Sequence, residues 1–206
     1  MRSIYAILVL TVVGLLLGSL PAWAVGERAA APLRDAAGKV WGVAVFVQEA
    51  RGVRISVTVQ GLSPGEHGIH IHAVGKCEPP DFASAGPHFN PTHRKHGLNN
   101  PEGPHSGDMP NLVVGEDGSA VYEYVTERVA LTSGELSLFD EDGSSLVIHA
   151  GPDDQITDPA GNSGARVLCG AITLMKGTSL RIGGLLPTLL LLAAAALVVW
   201  LLFVRR

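Results

Sequence analysis

Seven of the eight histidines in this chain crowd into one stretch, at His67, His70, His72, His88, His93, His96 and His105, and Asp108 closes it. The eighth, His149, stands alone in LVIHAGPDD. Imidazole is the commonest protein ligand for zinc and copper, and a carboxylate can complete a zinc tetrahedron. Incidental histidines scatter over a surface. This density, in a stretch punctuated by Gly, Pro and Asn, predicts a metal site built on loops and held by a rigid scaffold.

The spacing sorts the ligands into two sets. His70 and His72 are two residues apart on a strand, so both side chains leave the same face. His88, His96, His105 and Asp108 follow at steps of eight, nine and three. Three imidazoles and a carboxylate make a closed tetrahedral zinc site with no position left for water. His70, His72 and His149 remain for a second ion, one ligand short of a tetragonal site of the kind that suits Cu(II). The economical solution is that His88, which leads from the first pair into the zinc set, serves both ions.

The scaffold reads as β. Val40–Val47 (VWGVAVFV) is a near-continuous apolar strand, and Val53, Ile55, Val57 and Val59 alternate with polar residues as a strand with one wet face. Further strands are expected at 68–73, 111–114, 120–125, 145–149 and 167–174, with turns at Glu116-Asp117-Gly118 and Asp140–Gly143. The segment 28–34 is Ala-rich and carries Pro32, so its state is open. Two long stretches, 73–109 and 150–165, have almost no strand character, and long ordered loops in a compact β domain usually carry function. The expectation is a small antiparallel sandwich or flattened barrel with its chemistry on loops.

The two ends read differently. MRSIYAILVLTVVGLLLGSLPAWAV opens with Arg2, runs apolar from Ile4 to Leu17 and closes on Ala22-Trp23-Ala24, a small-x-small cleavage pattern. Residues 1–24 are therefore expected to be an export signal, with an uncleaved anchor as the alternative. Leu185–Val204 is 20 residues without a charge, enough at about 1.5 Å per residue to cross roughly 30 Å of hydrocarbon as a transmembrane helix. Arg205 and Arg206 stop it. The organisation expected is signal, domain over 25–175, linker 176–184 and membrane span 185–204, with the domain outside the cytoplasm at the cell surface or in the periplasm. The formal net charge of −4 argues against nucleic acid as a partner.

The ordered set HGIHIH, AGPHFNP, RKHG, H-x2-D ending in GD, and AGNSGARVLCG resembles the copper/zinc superoxide dismutases in their bacterial exported form, over about Val40 to Leu174. The resemblance implies an all-β Greek-key β-sandwich or flattened barrel with long metal-binding and electrostatic loops. It implies copper on His70, His72, His88 and His149, zinc on His88, His96, His105 and Asp108, and His88 as the bridge between the ions. Asp153 matches the carboxylate that links a copper histidine to a zinc histidine, the usual outer-shell task of fixing tautomers. Arg166 matches the arginine above copper, and with His88 it is the expected catalytic residue. His67 matches a structural histidine and is no ligand; His93 has no counterpart and is expected on a solvated loop. Cys77 and Cys169 are the chain's two cysteines, and the resemblance implies that they form the family's disulfide, as export would allow.

The activity so implied is dismutation of superoxide, with copper alternating between Cu(II) and Cu(I) and zinc bracing the loop. The expected partners are superoxide and the membrane; a homodimer stays open. A copper-storage module would have no need of Arg166, and a zinc-stabilised interaction domain would have no need of His149. For Arg166 itself the plain alternative is a surface pair with Asp153, Asp154 or Asp158. The 155–163 segment, QITDPAGNS, lacks the lysine-and-glutamate arrangement of the eukaryotic electrostatic loop, so long-range steering is in question while catalysis is not.

Overall fold

The computed structural model describes residues 26–175. Among these residues ten strands are formed in chain order: β1 (Arg28–Arg34), β2 (Val40–Gln48), β3 (Val53–Gln60), β4 (Gly65–His67), β5 (Ile69–His72), β6 (Leu112–Val114), β7 (Ser119–Thr126), β8 (Ser145–His149), β9 (Arg166–Ala171) and β10 (Thr173–Leu174). One antiparallel sheet runs β5-β8-β9-β1-β2-β3-β7, with β10 beside β1, and β4 pairs separately with β6. β6 also packs on β7, while β4 continues through Gly68 into β5. The two ends of the sheet are thus drawn toward each other, giving an all-β curled half-barrel.

Period-two patterning explains the core. Val53, Ile55, Val57 and Val59 of β3 are buried, and they meet Phe46 and Ala44 of β2 in the register Phe46↔Ile55 and Ala44↔Val57. β2 obeys the same rule despite its apolar sequence: Ala44 and Phe46 are buried, whereas Val40 and Val43 are exposed. The Ala-rich segment 28–34, left open by its sequence, is strand β1. Its small residues answer the large one opposite, Ala29 pairing with Phe46, and Ala29, Ala31 and Leu33 all point inward. Pro32 falls between Ala30, which pairs with Thr173, and Arg34, which pairs with Cys169. The ladder on that side is interrupted there, which is where a strand tolerates proline.

The expected strand 167–174 is split into β9 and β10, and 68–73 is preceded by the separate short β4. Apart from one 3-10 turn at Ala83–Ala85, the stretches 73–109 and 150–165 carry no regular element. Among the described residues no helix is long and apolar enough to cross a membrane. The expected export signal, linker and transmembrane run Leu185–Val204 lie outside the described residues.

Candidate metal centre

β5 carries the first two histidines of the expected copper set. Its four residues are all buried: Ile69 and Ile71 face the core, and His70 and His72 leave by the other side. β8 covers one edge. Loop segments cover the other, with Asp108 opposite His70 and His88 opposite His72 as isolated bridges. Phe89 N–H donates to Ile71 O at 2.8 Å and Ile71 N–H to Gly107 O at 3.0 Å. A Cβ on Gly107 would lie 2.3 Å from Ile71 O, so only glycine lets this loop lie against the strand. Residues far apart in sequence are thereby fixed side by side through backbone bonds. His149 ends β8 at an irregularity in register, opposite Arg166, and its N–H donates to Gly68 O at 2.8 Å.

His70, His72, His88 and His149 form one buried cluster, and His88, His96, His105 and Asp108 a second. In the first, every ring has one nitrogen anchored. His72 Nδ1 donates to Gly86 O at 2.9 Å, His149 Nδ1 donates to Gly164 O at 3.1 Å, and His70 Nε2 meets Asp153 Oδ2 at 2.7 Å. A carbonyl only accepts, so these rings carry their proton on the anchored nitrogen and present a lone pair from the other. The other nitrogens, His70 Nδ1, His72 Nε2, His88 Nε2 and His149 Nε2, are buried without a hydrogen-bond partner. Four converging, orphaned lone pairs in a dry site are what a soft-to-borderline cation needs and what no protein partner here supplies. Burial, reinforced by the neighbouring rings, pushes the basicity of His70 down to about 3 and of His149 to about 4, and holds His72 and His88 low as well. These imidazoles are neutral and ready to ligate.

The second cluster carries one negative charge. Asp108 Oδ2 accepts from Gly97 N–H and His105 N–H, both at 2.9 Å, leaving Oδ1 facing three imidazoles. The separations are 2.9 Å to His88 Nδ1, 3.0 Å to His96 Nδ1 and 3.4 Å to His105 Nδ1, with 3.5 Å between the His105 and His88 nitrogens. The edge of a tetrahedron with ligands at about 2.0–2.1 Å is about 3.3 Å. The donor set therefore fits zinc in chemistry and in size. Burial would raise the Asp108 carboxyl, but bonds from His105, His88, His96 and the Gly97 N–H outweigh it and hold the group far below the carboxylate range. For His96, burial likewise opposes charging, yet Asp108 and Asp153 on its two nitrogens raise it to about 9. This pocket calls for a cation, and a proton on His96 is the weaker way to supply it.

Asp153 joins the clusters. Its carboxylate meets His70 Nε2 at 2.7 Å and His96 Nε2 at 3.0 Å, and it takes Gln155 N–H at 2.6 Å. Asn111 clamps its backbone, donating to Asp153 O and accepting from Asp153 N–H, both at 2.9 Å. Asp158 accepts His96 N–H at 2.7 Å, and Arg128 donates to the carbonyl of Asp108 at 2.8 Å. None of Asn111, Arg128 or Asp158 stood out in the sequence as part of the site. All three act on or through backbone atoms and leave no pattern in the sequence.

Arg166 pairs with none of the three aspartates of the plain alternative. It donates to Phe82 O at 2.6 Å and to Gly86 O at 2.7 Å, and it lines an open cavity of about 800 Å³ whose floor includes His72, His88 and His149. The carbonyls belong to the loop that Cys77 ties to β9, because Cys77 and Cys169 form a disulfide. Phe82, Ala85 and Val147 pack with Cys169 as a small second core under that loop. Burial lowers the Arg166 guanidinium from its ordinary value, though it stays a cation. His67 is buried and spans His149 O, at 2.7 Å from Nδ1, and Ser63 O, at 2.9 Å from Nε2, away from both clusters. His93 is exposed on the loop.

Comparison with known proteins bears on the same residues. The family model described as copper/zinc superoxide dismutase matches residues 40–172. A superoxide dismutase [Cu-Zn] of Aquifex aeolicus is 48% identical over 147 residues, covering 70% of this chain and 86% of that relative. One of Caulobacter vibrioides is 42% identical, covering 70% and 84%. Among solved structures, a double mutant of a SOD-like protein from Bacillus subtilis superposes with a TM-score of 0.67 at 44% identity, covering 69% of this chain and 95% of that one.

Proposed function

The chain belongs to the copper/zinc superoxide dismutase family, and from that premise we propose that it disproportionates superoxide, two anions and two protons giving one oxygen and one hydrogen peroxide. The observation that carries the reading is the set of four orphaned imidazole nitrogens lying under a cavity walled by Arg166, next to a closed three-histidine, one-aspartate pocket. His70, His72, His88 and His149 would hold copper, and His88, His96, His105 and Asp108 zinc. Bound there, copper supplies the one-electron redox chemistry and zinc a fixed charge. The protein's own residues do the rest. Arg166 offers a cation to a small anion at close range, in a site where burial strengthens the attraction. His88 Nε2 is placed to take up a proton and return it while Nδ1 stays in the closed pocket. Asp153 keeps the protons of His70 and His96 on their outward nitrogens.

Sheet order supports a Greek-key barrel, since β6 bridges from β7 back to β4 while β5 leads on to β8. The apolar termini support an exported domain anchored in the membrane, with Leu185–Val204 spanning it. Two experiments test the reading. The metal-reconstituted protein should hold one copper and one zinc per chain and consume superoxide in a cyanide-sensitive reaction; zinc alone after copper loading would refute it. Protease added to intact cells should reach the domain, and release of the full chain by a salt wash would refute the anchor.

A further inference from the structure

Among the described residues the cavity over the first cluster carries two formally charged side chains, Arg166 and Asp81, besides its buried neutral histidines. Asp81 is not a loose surface acid. Its Oδ1 accepts Ala83 N–H at 3.0 Å, and the next residue, buried Phe82, gives its carbonyl to Arg166 at 2.6 Å. One turn thus positions the cation and carries an anion beside it; each terminal guanidinium nitrogen gives one N–H to a carbonyl, and neither bonds the Asp81 carboxylate. Among the described residues no lysine lines this cavity.

We infer that Asp81 is a rate- and affinity-limiting residue for anionic ligands, its carboxylate opposing within the cavity the attraction that Arg166 supplies from its wall. The inference rests on the dismutase reading for its substrate, but its physical content is wider: any small monoanion entering this cavity meets the carboxylate. Coulomb interaction over a cavity of this size is felt strongly at low salt and little once the Debye length falls below about 8 Å. Asp81→Asn keeps an oxygen to accept Ala83 N–H, so the turn and the placement of Arg166 survive while the charge goes.

The test uses the copper- and zinc-loaded protein, with azide as probe, its affinity read from the azide-to-Cu(II) charge-transfer band and normalised to measured copper. At about 10 mM ionic strength Asp81→Asn should bind azide roughly two- to five-fold tighter and raise kcat/KM for superoxide in similar proportion, and both gains should shrink toward unity at about 0.5 M salt. Asp81→Ser, which also offers an acceptor to Ala83 N–H, should behave alike and guards against an effect peculiar to the amide. Glu116→Gln, in the β6–β7 turn and outside the cavity lining, removes one charge elsewhere and should change neither quantity. Unchanged azide affinity in both Asp81 variants, or an equal gain in Glu116→Gln, would overturn the inference. A wild-type protein that binds azide yet leaves superoxide untouched would refute the dismutase reading instead, while the azide series still decides the role of Asp81.

Discussion

Gly161→Ala is the substitution that most sharply tests how the two ligand clusters are joined. Gly161 sits at φ +60, and a Cβ there would lie 1.7 Å from Asp153 Oδ1 and 2.7 Å from His96 Nε2. Neither neighbour can yield cheaply. Oδ1 is held by Gln155 N–H and His96, and Asp153's backbone is clamped by Asn111. An alanine in the left-handed region costs about 1 kcal/mol by itself. Prising Oδ1 from His96 adds the loss of a charge-assisted hydrogen bond, about 1.5–3 kcal/mol. The sum is about 2.5–4 kcal/mol of stability in the metal-free domain. With its outer nitrogen unheld, His96 loses orientation, and zinc affinity should fall ~10- to 100-fold. Gly38→Ala supplies the control: φ is +82 and nothing lies within 4 Å of the added carbon, so it should cost only the backbone term and leave zinc binding alone. Urea midpoints and a chelator competition for zinc measure both quantities. Equal destabilisation by the two variants, with zinc affinity unchanged, would refute the claim that Gly161 is required by the Asp153 bridge.

Arg166→Glu should keep both metals and slow superoxide consumption well over tenfold, with Arg166→Lys losing less, because charge survives but the forked donors do not; near-normal activity in a metal-replete Glu variant would make the arginine a bystander. Replacing Cys77 and Cys169 together by serine opens a closure of 92 residues and should cost at most about 4–5 kcal/mol in urea unfolding, with turnover falling further than copper content as the Arg166 acceptors loosen. The metal-free domain should be least stable away from neutrality. His70, at about 3, and His149, at about 4, lie below their ordinary 6.5, so the unfolded chain takes up protons first and stability present above pH 6.5 is lost as pH falls through those values. His96, at about 9, acts oppositely: its contribution is full below pH 6.5 and is lost as pH rises through 9, a flank that zinc should remove by replacing the proton. A flat urea midpoint from pH 7 to 4 would contradict the first part.

The two clusters were legible because histidines and a carboxylate gathered in this way advertise themselves through residue type. Imidazoles two apart on a strand must share a face, and β5 has that face turned to the loops with its isoleucines on the core side. Strand β1 was not legible, because Ala29 and Ala31 matter for their smallness beside Phe46, a property of the pair and not of the segment. Exposed Val43 shows the converse, since an apolar residue is not told by its type which side of a sheet it will face. Backbone-mediated support is invisible for a similar reason. Arg128 acts on the carbonyl of Asp108 and Asp158 on the N–H of His96, atoms that every residue possesses.

The two clusters differ in charge and in access, and the difference follows from which atoms face outward. In the pocket of His88, His96, His105 and Asp108 one carboxylate oxygen faces the three imidazoles while the other is used up by backbone N–H groups, so an ion there would be enclosed and partly neutralised. The four-imidazole cluster brings no charge of its own, and three of its rings line a cavity open to solvent. An incoming anion therefore meets whatever charge the ion at the four-imidazole cluster retains, together with Arg166 and Asp81. His88 belongs to both clusters with a different nitrogen in each. A change of charge on the cavity side is thus felt by the closed pocket through one ring. Asp153, which touches His70 and His96 from behind, is the second such link. The two ends of the centre are thus held together by two independent connections, the His88 ring and the Asp153 carboxylate.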